Sequence, residues 1–157
     1  MLTREQRYAR RAYEHVISVQ KRYGSRDDFV KKYGSMAHKL PVLIRTAGLA
    51  QALAFVISRG EDAHHILLDH LAEVTISGSR DELLRRSLGE GDPHTATLSY
   101  YIRLTEQVLD ALVWYKRFAE SVLKVSVTGD SPEDAESRST PADMQASIGE
   151  GTGTGGA

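Results

Sequence analysis

Between residues 1 and 127, apolar side chains recur at intervals of three and four, the spacing that places side chains on one face of an α-helix. The first such stripe consists of Tyr8, Ala12, Val16, Val19 and Tyr23. It follows a capping-box signature, because Gln6 stands three residues after Thr3. Gly24 ends the stripe, so the pattern predicts a helix that begins at Thr3 and stops at Gly24.

Start and stop signals predict further helices along the chain. Ser25 followed by Asp28 predicts a helix through about Lys39, and Pro41 suits the first turn of a third helix that runs to Ser58. A fourth helix is predicted over 61–74, because two acidic residues open it. Ser79, with Glu82 three residues later, predicts a short fifth helix.

The last helix is predicted to be the longest. Asp92 and Pro93 read as a cap and a first-turn proline, and the helical pattern continues to Val125, a length of about 50 Å. Two adjacent apolar rows run along it, one of Tyr101, Leu104, Val108, Ala111, Tyr115, Phe118 and Val122, the other of Leu98, Ile102, Thr105, Leu109, Leu112, Ala119 and Leu123. The sequence therefore predicts an all-α bundle of about six helices with this helix at its centre.

The pattern changes at Thr128. Residues 128–157 contain no aromatic side chain, and Met144 and Ile148 are their only large apolar ones. Such a segment buries too little surface to offset its ordering entropy. We therefore expect a helical domain over 1–127 and a disordered acidic tail over 128–157.

Charge is distributed unevenly along the chain. Residues 1–127 carry 19 basic and 15 acidic side chains, whereas residues 128–157 carry one basic and six acidic. Residues 1–45 alone hold 11 basic against 4 acidic groups, and Arg4, Arg7 and Arg11 form a stripe on the first helix. This distribution indicates either a surface for a polyanion or a solvated helix face.

Composition excludes several classes of protein. The chain has no cysteine, so a disulfide scaffold and a thiolate metal site are excluded. No stretch is apolar over the length of a membrane span, and the charged N-terminus is unlike a signal peptide, so we expect a soluble cytoplasmic protein without membrane contact. His64, His65, Asp69 and His70 lie close in sequence, but only His65 and Asp69 share a helix face, so we expect no metal and no cofactor.

Two Arg–His pairs in the sequence have a spacing found in one class of ribonuclease. Helical ribonucleases of the HEPN kind use an Arg and a His five positions apart, and Arg10 with His15 and Arg59 with His64 have that spacing. Five residues correspond to 500° around a continuous helix, and Gly60 interrupts the second pair. We therefore expect no enzymatic activity, with a metal-independent HEPN-like ribonuclease as the weaker alternative.

Trp114, the only tryptophan, interrupts a polar stripe of the last helix. Either another helix of the same chain covers it, or it contacts a partner chain, since tryptophan and arginine are enriched at interface hot spots. Trp114 is therefore a candidate protein-interface residue.

Three segments resemble a known family. They are YGSMAHKLPVLIRTAGLAQALAFVISRG (33–60), YYIRLTEQVLDALVWYKRFAES (100–121) and the Arg/Tyr-rich first helix. Together they resemble the small helical subunit of type III-B CRISPR effector complexes, the Cmr RAMP module. The most specific string is LPVLIRTAGLAQALAF, from Leu40 to Phe55. The likeness covers most of residues 1–125 and none of the acidic tail.

The resemblance implies a non-catalytic structural subunit in antiviral defence. It implies several copies in a short filament beside guide RNA and target RNA, in contact with other subunits of the complex. A protein that serves many guides recognises RNA backbone and A-form shape. The residues expected to contact RNA are Lys39, Arg45, Gln51, Arg103, Lys116 and Arg117, with Arg4, Arg7 and Arg11. A helical adaptor that binds only protein remains the alternative from another class.

Overall fold

A computed structural model of the chain describes residues 1–24 and 27–127. Over these residues the backbone forms six α-helices and one short 3-10 turn, without a strand. The helices are α1 (Arg4–Tyr23), α2 (Asp28–Ala47), α3 (Leu49–Arg59), α4 (Asp62–Ile76), α5 (Arg80–Ser87) and α6 (Leu98–Ser121). The prediction of an all-α bundle of about six helices with a long C-terminal helix is confirmed. The predictions for residues 128–157 lie outside the described residues.

The first and fifth helices begin as the capping signals predict. The Thr3 hydroxyl accepts a hydrogen bond from the backbone N–H of Gln6 at 3.1 Å, and the Gln6 side chain accepts one from the Thr3 N–H at 2.9 Å. The Ser79 hydroxyl accepts from the Glu82 N–H at 3.3 Å and so caps α5. The predicted start of the second helix at Ser25 lies outside the described residues.

The predicted helix boundary at Pro41 is wrong. α2 continues through Pro41 to Ala47, and the proline ring is buried against the rest of the bundle. One proline removes a single intrahelical hydrogen bond, and burial of Leu40, Pro41 and Ile44 stabilises the helix through this position. The actual break is Gly48, whose φ of 90° lies in the region that favours glycine. Its N–H closes α2 on the Ile44 carbonyl, and its carbonyl accepts from Ala52 to open α3.

The predicted extent of the last helix is also wrong. Pro93–Ala96 forms a separate 3-10 turn, and α6 begins at Leu98, where the Thr97 hydroxyl accepts from the Tyr100 N–H at 3.2 Å. The helix stops at Ser121, so its length is about 36 Å instead of about 50 Å. Asp92 makes no side-chain capping bond, because the chain turns before the long helix starts.

α6 lies at the centre of the bundle, in contact with α1, α2 and α4. Its first predicted row supplies the buried residues Leu104, Val108, Ala111 and Tyr115. The second row is buried only over its C-terminal half, because Leu98 and Ile102 are 73% and 49% exposed. Among the described helices, none is long and apolar enough to cross a membrane.

Candidate nucleic-acid interface

Two helices that are distant in sequence bring three of the predicted RNA-binding residues together. Arg45 of α2 and Lys116 and Arg117 of α6 line one groove, which we call the α2–α6 groove. Its floor and edges are formed by Pro41, Leu109, Val113 and Glu120. All three basic side chains belong to exposed residues, and they outnumber the single carboxylate of Glu120. The groove therefore has a local excess of positive charge.

Helical spacing explains why these residues meet. Pro41 and Arg45 stand four residues apart and share a face of α2, and Val113 stands one turn before Lys116 and Arg117 on α6. α2 and α6 pack against each other, so these two faces form the walls of the groove. No stripe in either helix predicts the meeting, because it depends on how the two helices pack.

Three other predicted RNA-binding residues do not line this groove. Lys39 is exposed on the side of α2 near His64, whose pKa is lowered chiefly by burial; the Lys39 charge is the smallest of the contributing causes. Gln51 is exposed on α3, and Arg103 is exposed near the start of α6. The structure therefore separates Lys39 from Arg45, although they are only six residues apart in the sequence.

The arginine stripe of α1 lies in a second groove. Arg4, Arg7, Arg10 and Arg11 line it together with Glu14 and Glu73. Arg4 forms an ion pair with Asp110 of α6 at 2.7 Å, and Arg11 forms ion pairs with Glu14 and Glu73. Two of the three α1 residues predicted to contact RNA, Arg4 and Arg11, therefore already form ion pairs within the chain. Among the described residues, Arg7 has no carboxylate within ion-pair distance, so it is the most available cation of the stripe.

Trp114 lies between the two grooves. It shares a shallow surface depression with Arg4, Glu5, Tyr8, Asp110 and Val113, and Val113 also lines the α2–α6 groove. Its ring is partly buried, with the Phe118 ring centroid at 6.0 Å and the Arg117 guanidinium carbon at 5.7 Å from its own centroid. Part of the indole is thus covered by its own chain, and part remains at the surface.

A buried polar network, which sequence reasoning missed, joins α1, α2, α4 and α6. The His15 Nδ1 lies 2.7 Å from the Tyr115 hydroxyl, and its Nε2 lies 2.9 Å from a carboxylate oxygen of Glu73. The His15 and His70 rings stack with centroids 4.0 Å apart. His70 Nδ1 in turn lies 2.7 Å from the Tyr33 hydroxyl. Since these residues come from four helices, no spacing within one helix could indicate the network.

The partners fix how His15 is protonated. An ionised carboxylate only accepts hydrogen bonds, so Nε2 carries the proton that is donated to Glu73, and Nδ1 accepts from the Tyr115 hydroxyl. Burial, and then the nearby Arg11 charge, lower the pKa of His15 to about 4. Burial and the His15 charge lower the pKa of His70 to about 3. Both rings are therefore neutral at pH 7 and act as hydrogen-bonding parts of the core.

The pairs and clusters considered for catalysis are accounted for by local contacts. His15 points into the core, whereas Arg10 is exposed and lies 3.5 Å from Glu14. The His64 ring accepts a hydrogen bond from the Glu61 N–H at 3.1 Å, which completes the N-terminus of α4. Asp69 pairs with Arg80 at 2.8 Å. Within 1–24 and 27–127, no group of three or more potential ligands could hold a metal ion.

Comparison with known proteins places the helical region in one family. The profile of the CRISPR-associated protein family Cas_Cmr5 matches residues 4–122. A curated relative from Thermus thermophilus, "CRISPR system Cmr subunit Cmr5", is 47% identical over 124 residues, or 79% of this chain and 99% of the relative. The crystal structure of a CRISPR-associated Cmr5 family protein, also from Thermus thermophilus, is similar with a TM-score of 0.62 and 44% identity, over 78% of this chain and 98% of that one.

Proposed function

Because the chain belongs to the CRISPR-associated Cmr5 family, we propose that it is a non-catalytic structural subunit of a type III-B CRISPR ribonucleoprotein in the cytoplasm. In this role it stacks with copies of itself and with other subunits beside guide RNA and target RNA. The observation that carries the RNA contact is the convergence of Arg45, Lys116 and Arg117 on one groove. Basic groups on rigid helices suit a backbone whose sequence differs from guide to guide.

The groove residues define the first test. Replacing Arg45, Lys116 and Arg117 together by Ala should weaken binding of mixed-sequence RNA by the assembled complex at low salt. Each phosphate contact contributes about −0.7 to the slope of log K against log salt on single strands, so losing three contacts should flatten the slope by about 2. The loss should be equal for unrelated guides, because backbone contacts carry no sequence information.

A charge-matched variant provides the control. Lys21, Arg22 and Arg59 are also exposed cations, and none of them lines the α2–α6 groove. Replacing these three by Ala changes the net charge equally and should leave the slope almost unchanged. Equal flattening of the slope by the two triple variants would contradict a local contact. An unchanged slope in both variants would favour the adaptor that binds only protein.

Trp114 is proposed as a contact for a partner chain. Its partly exposed ring and the Arg117 guanidinium beside it have the composition of an interface hot spot. Trp114→Ala should weaken assembly of the complex, measured by sedimentation, and leave the unfolding free energy of the isolated protein nearly unchanged. A loss of about 3 kcal/mol or more in that free energy would show that the residue belongs to the core.

The non-catalytic part of the proposal has its own test. The purified protein should leave labelled single-stranded and duplex RNA intact, with and without divalent metal ions. Cleavage that is abolished by His15→Ala or by His64→Ala would contradict the proposal and favour the HEPN-like ribonuclease.

A further inference from the structure

The end of the helical region is fixed in the cleft between α2 and α6. After α6, the chain turns at Lys124, and Val125 packs directly on Gly34 of α2, where a Cβ atom would lie 2.7 Å from the valine Cβ. The His38 Nε2 donates a hydrogen bond to the Val125 carbonyl at 2.9 Å, and the Gln20 amide donates to the Val122 carbonyl at 3.1 Å. These contacts fix the chain at Val125, and we call this place the exit point.

The exit point and the α2–α6 groove share one face of α2. Gly34, His38, Pro41 and Arg45 follow one another at spacings of four, three and four, which aligns them along the helix. The first two hold Val125, and the last two line the groove. Arg45 therefore lies about 10 Å along the helix from His38. The cationic groove therefore begins beside the exit point.

The charge of the tail is opposite to that of the groove. Residues 128–157 carry six acidic side chains and one basic one, a net charge of −5. A disordered chain of 30 residues, as the sequence predicts for the tail, spans about 30 Å, which exceeds the separation of about 10 Å between His38 and Arg45 along α2. Short tethers of this kind give effective concentrations of about 1 mM, so even a weak interaction is substantially populated.

We propose that the acidic tail, residues 128–157, occupies the α2–α6 groove of its own chain and competes there with the RNA backbone. The inference rests on the proposed RNA contact of this groove and specifies how that contact is regulated. The tail lies outside the family match, which ends at residue 122, so the competition is a property of this chain's own sequence. Charge complementarity suffices for it, and no fixed tail conformation is needed.

The first experiment removes the charge of the tail in the full-length protein. The variant carries the substitutions Asp130→Asn, Glu133→Gln, Asp134→Asn, Glu136→Gln, Asp143→Asn and Glu150→Gln. Binding of a fluorescein-labelled mixed-sequence RNA should tighten about twofold to tenfold at low salt, as expected for loss of a tethered competitor. The gain should shrink at high salt, because salt screens both interactions.

The groove variant shows where the tail acts. In the background of Arg45→Ala, Lys116→Ala and Arg117→Ala, neutralising the tail should no longer improve RNA binding. Unchanged RNA affinity after neutralisation of the tail in the unmodified background would overturn the proposal. An equal gain in the groove variant would overturn it as well, because the tail would then act at another surface.

A second experiment detects tail docking without RNA. Since the chain has no cysteine, Ser139→Cys creates a single attachment site for a nitroxide spin label. The label should broaden the amide signals of Arg45, Lys116 and Arg117 more than those of α5, and tail neutralisation should abolish the difference. Equal broadening everywhere would overturn the docking proposal. Selective broadening in a protein that binds no RNA would support docking and contradict the proposed RNA contact.

Discussion

At the scale of single residues, the buried histidines make the stability of this protein depend on pH. In the folded state the pKa of His15 is lowered to about 4 and that of His70 to about 3, while an unfolded chain restores values near 6.5. The Glu14 carboxylate opposes the shift at His15, but it is the smallest of the three causes and already pairs with Arg10 and Arg11. Burial therefore determines the direction for both rings.

We predict that the unfolding free energy falls as the pH decreases from about 6.5 towards 4. In this window the unfolded chain takes up protons that the folded core excludes, so the stability present above pH 6.5 is progressively lost. Each histidine contributes up to about 1.4 kcal/mol per pH unit. Urea unfolding at several pH values measures the effect, and His70→Gln should reduce the slope. An unchanged slope in that variant would contradict the assignment.

Gly34 provides a second prediction at this scale. An alanine inside a helix is normally more stable than glycine by about 0.5–1 kcal/mol. Here the new methyl group would collide with Val125, so Gly34→Ala should instead destabilise the protein by about 1–3 kcal/mol. In a Val125→Gly background the same substitution should become stabilising. Thermal unfolding of the original protein, the two single variants and the double variant measures the effect of Gly34→Ala in each background. If Gly34→Ala stabilised the protein in both backgrounds, the proposed collision with Val125 would be contradicted.

At the scale of elements, side chains that cap helices decide where α6 begins. Asp92 and Pro93 have the composition of a helix start, yet the structure places only a 3-10 turn there. The chain then starts the long helix at Thr97, which makes the capping hydrogen bond. The sequence therefore indicated correctly that a helix begins in this region. The cap is Thr97 instead of Asp92, so the helix begins five residues later than predicted.

The two candidate caps give a matched pair of variants. Thr97→Ala should reduce the unfolding free energy by about 1 kcal/mol, because a helix N–H loses its partner. Asp92→Ala should have a much smaller effect, since Asp92 makes no capping bond. Chemical unfolding followed by circular dichroism at the helix signal measures both. A larger loss for Asp92→Ala would show that the longer helix of the sequence-based prediction exists in solution.

At the scale of the whole molecule, the folded unit extends beyond the last helix. Leu123 and Val125 are 1% and 2% exposed and belong to the core, and Val125 packs on Gly34 of α2. The apolar pattern indicated that the folded part reaches about residue 127, but it attributed this segment to a continuing helix. In the structure the helix ends at Ser121, and Val122 to Val125 pack as a turn against Gly34 and His38.

Two truncations test this boundary. A chain that ends at Val127 should melt within about 5 °C of the full-length protein, a difference on the order of 1 kcal/mol. A chain that ends at Ser121 loses the burial of Leu123 and Val125, a cost of about 3–6 kcal/mol, and should melt at least about 10 °C lower. Differential scanning calorimetry measures both. Equal melting temperatures for the two truncated chains would show that residues 122–127 do not contribute to the core.

The sequence by itself determined the helical fold class, the central position of the last helix, and the capping of α1 and α5. Each of these follows from spacings and caps within a few residues. The tertiary structure decided which basic residues meet, because Arg45 approaches Lys116 and Arg117 only through the packing of α2 on α6. It also created the His15–His70–Tyr115 network from separate helices. Contacts between distant segments depend on how helices pack in three dimensions, and no local periodicity contains that information.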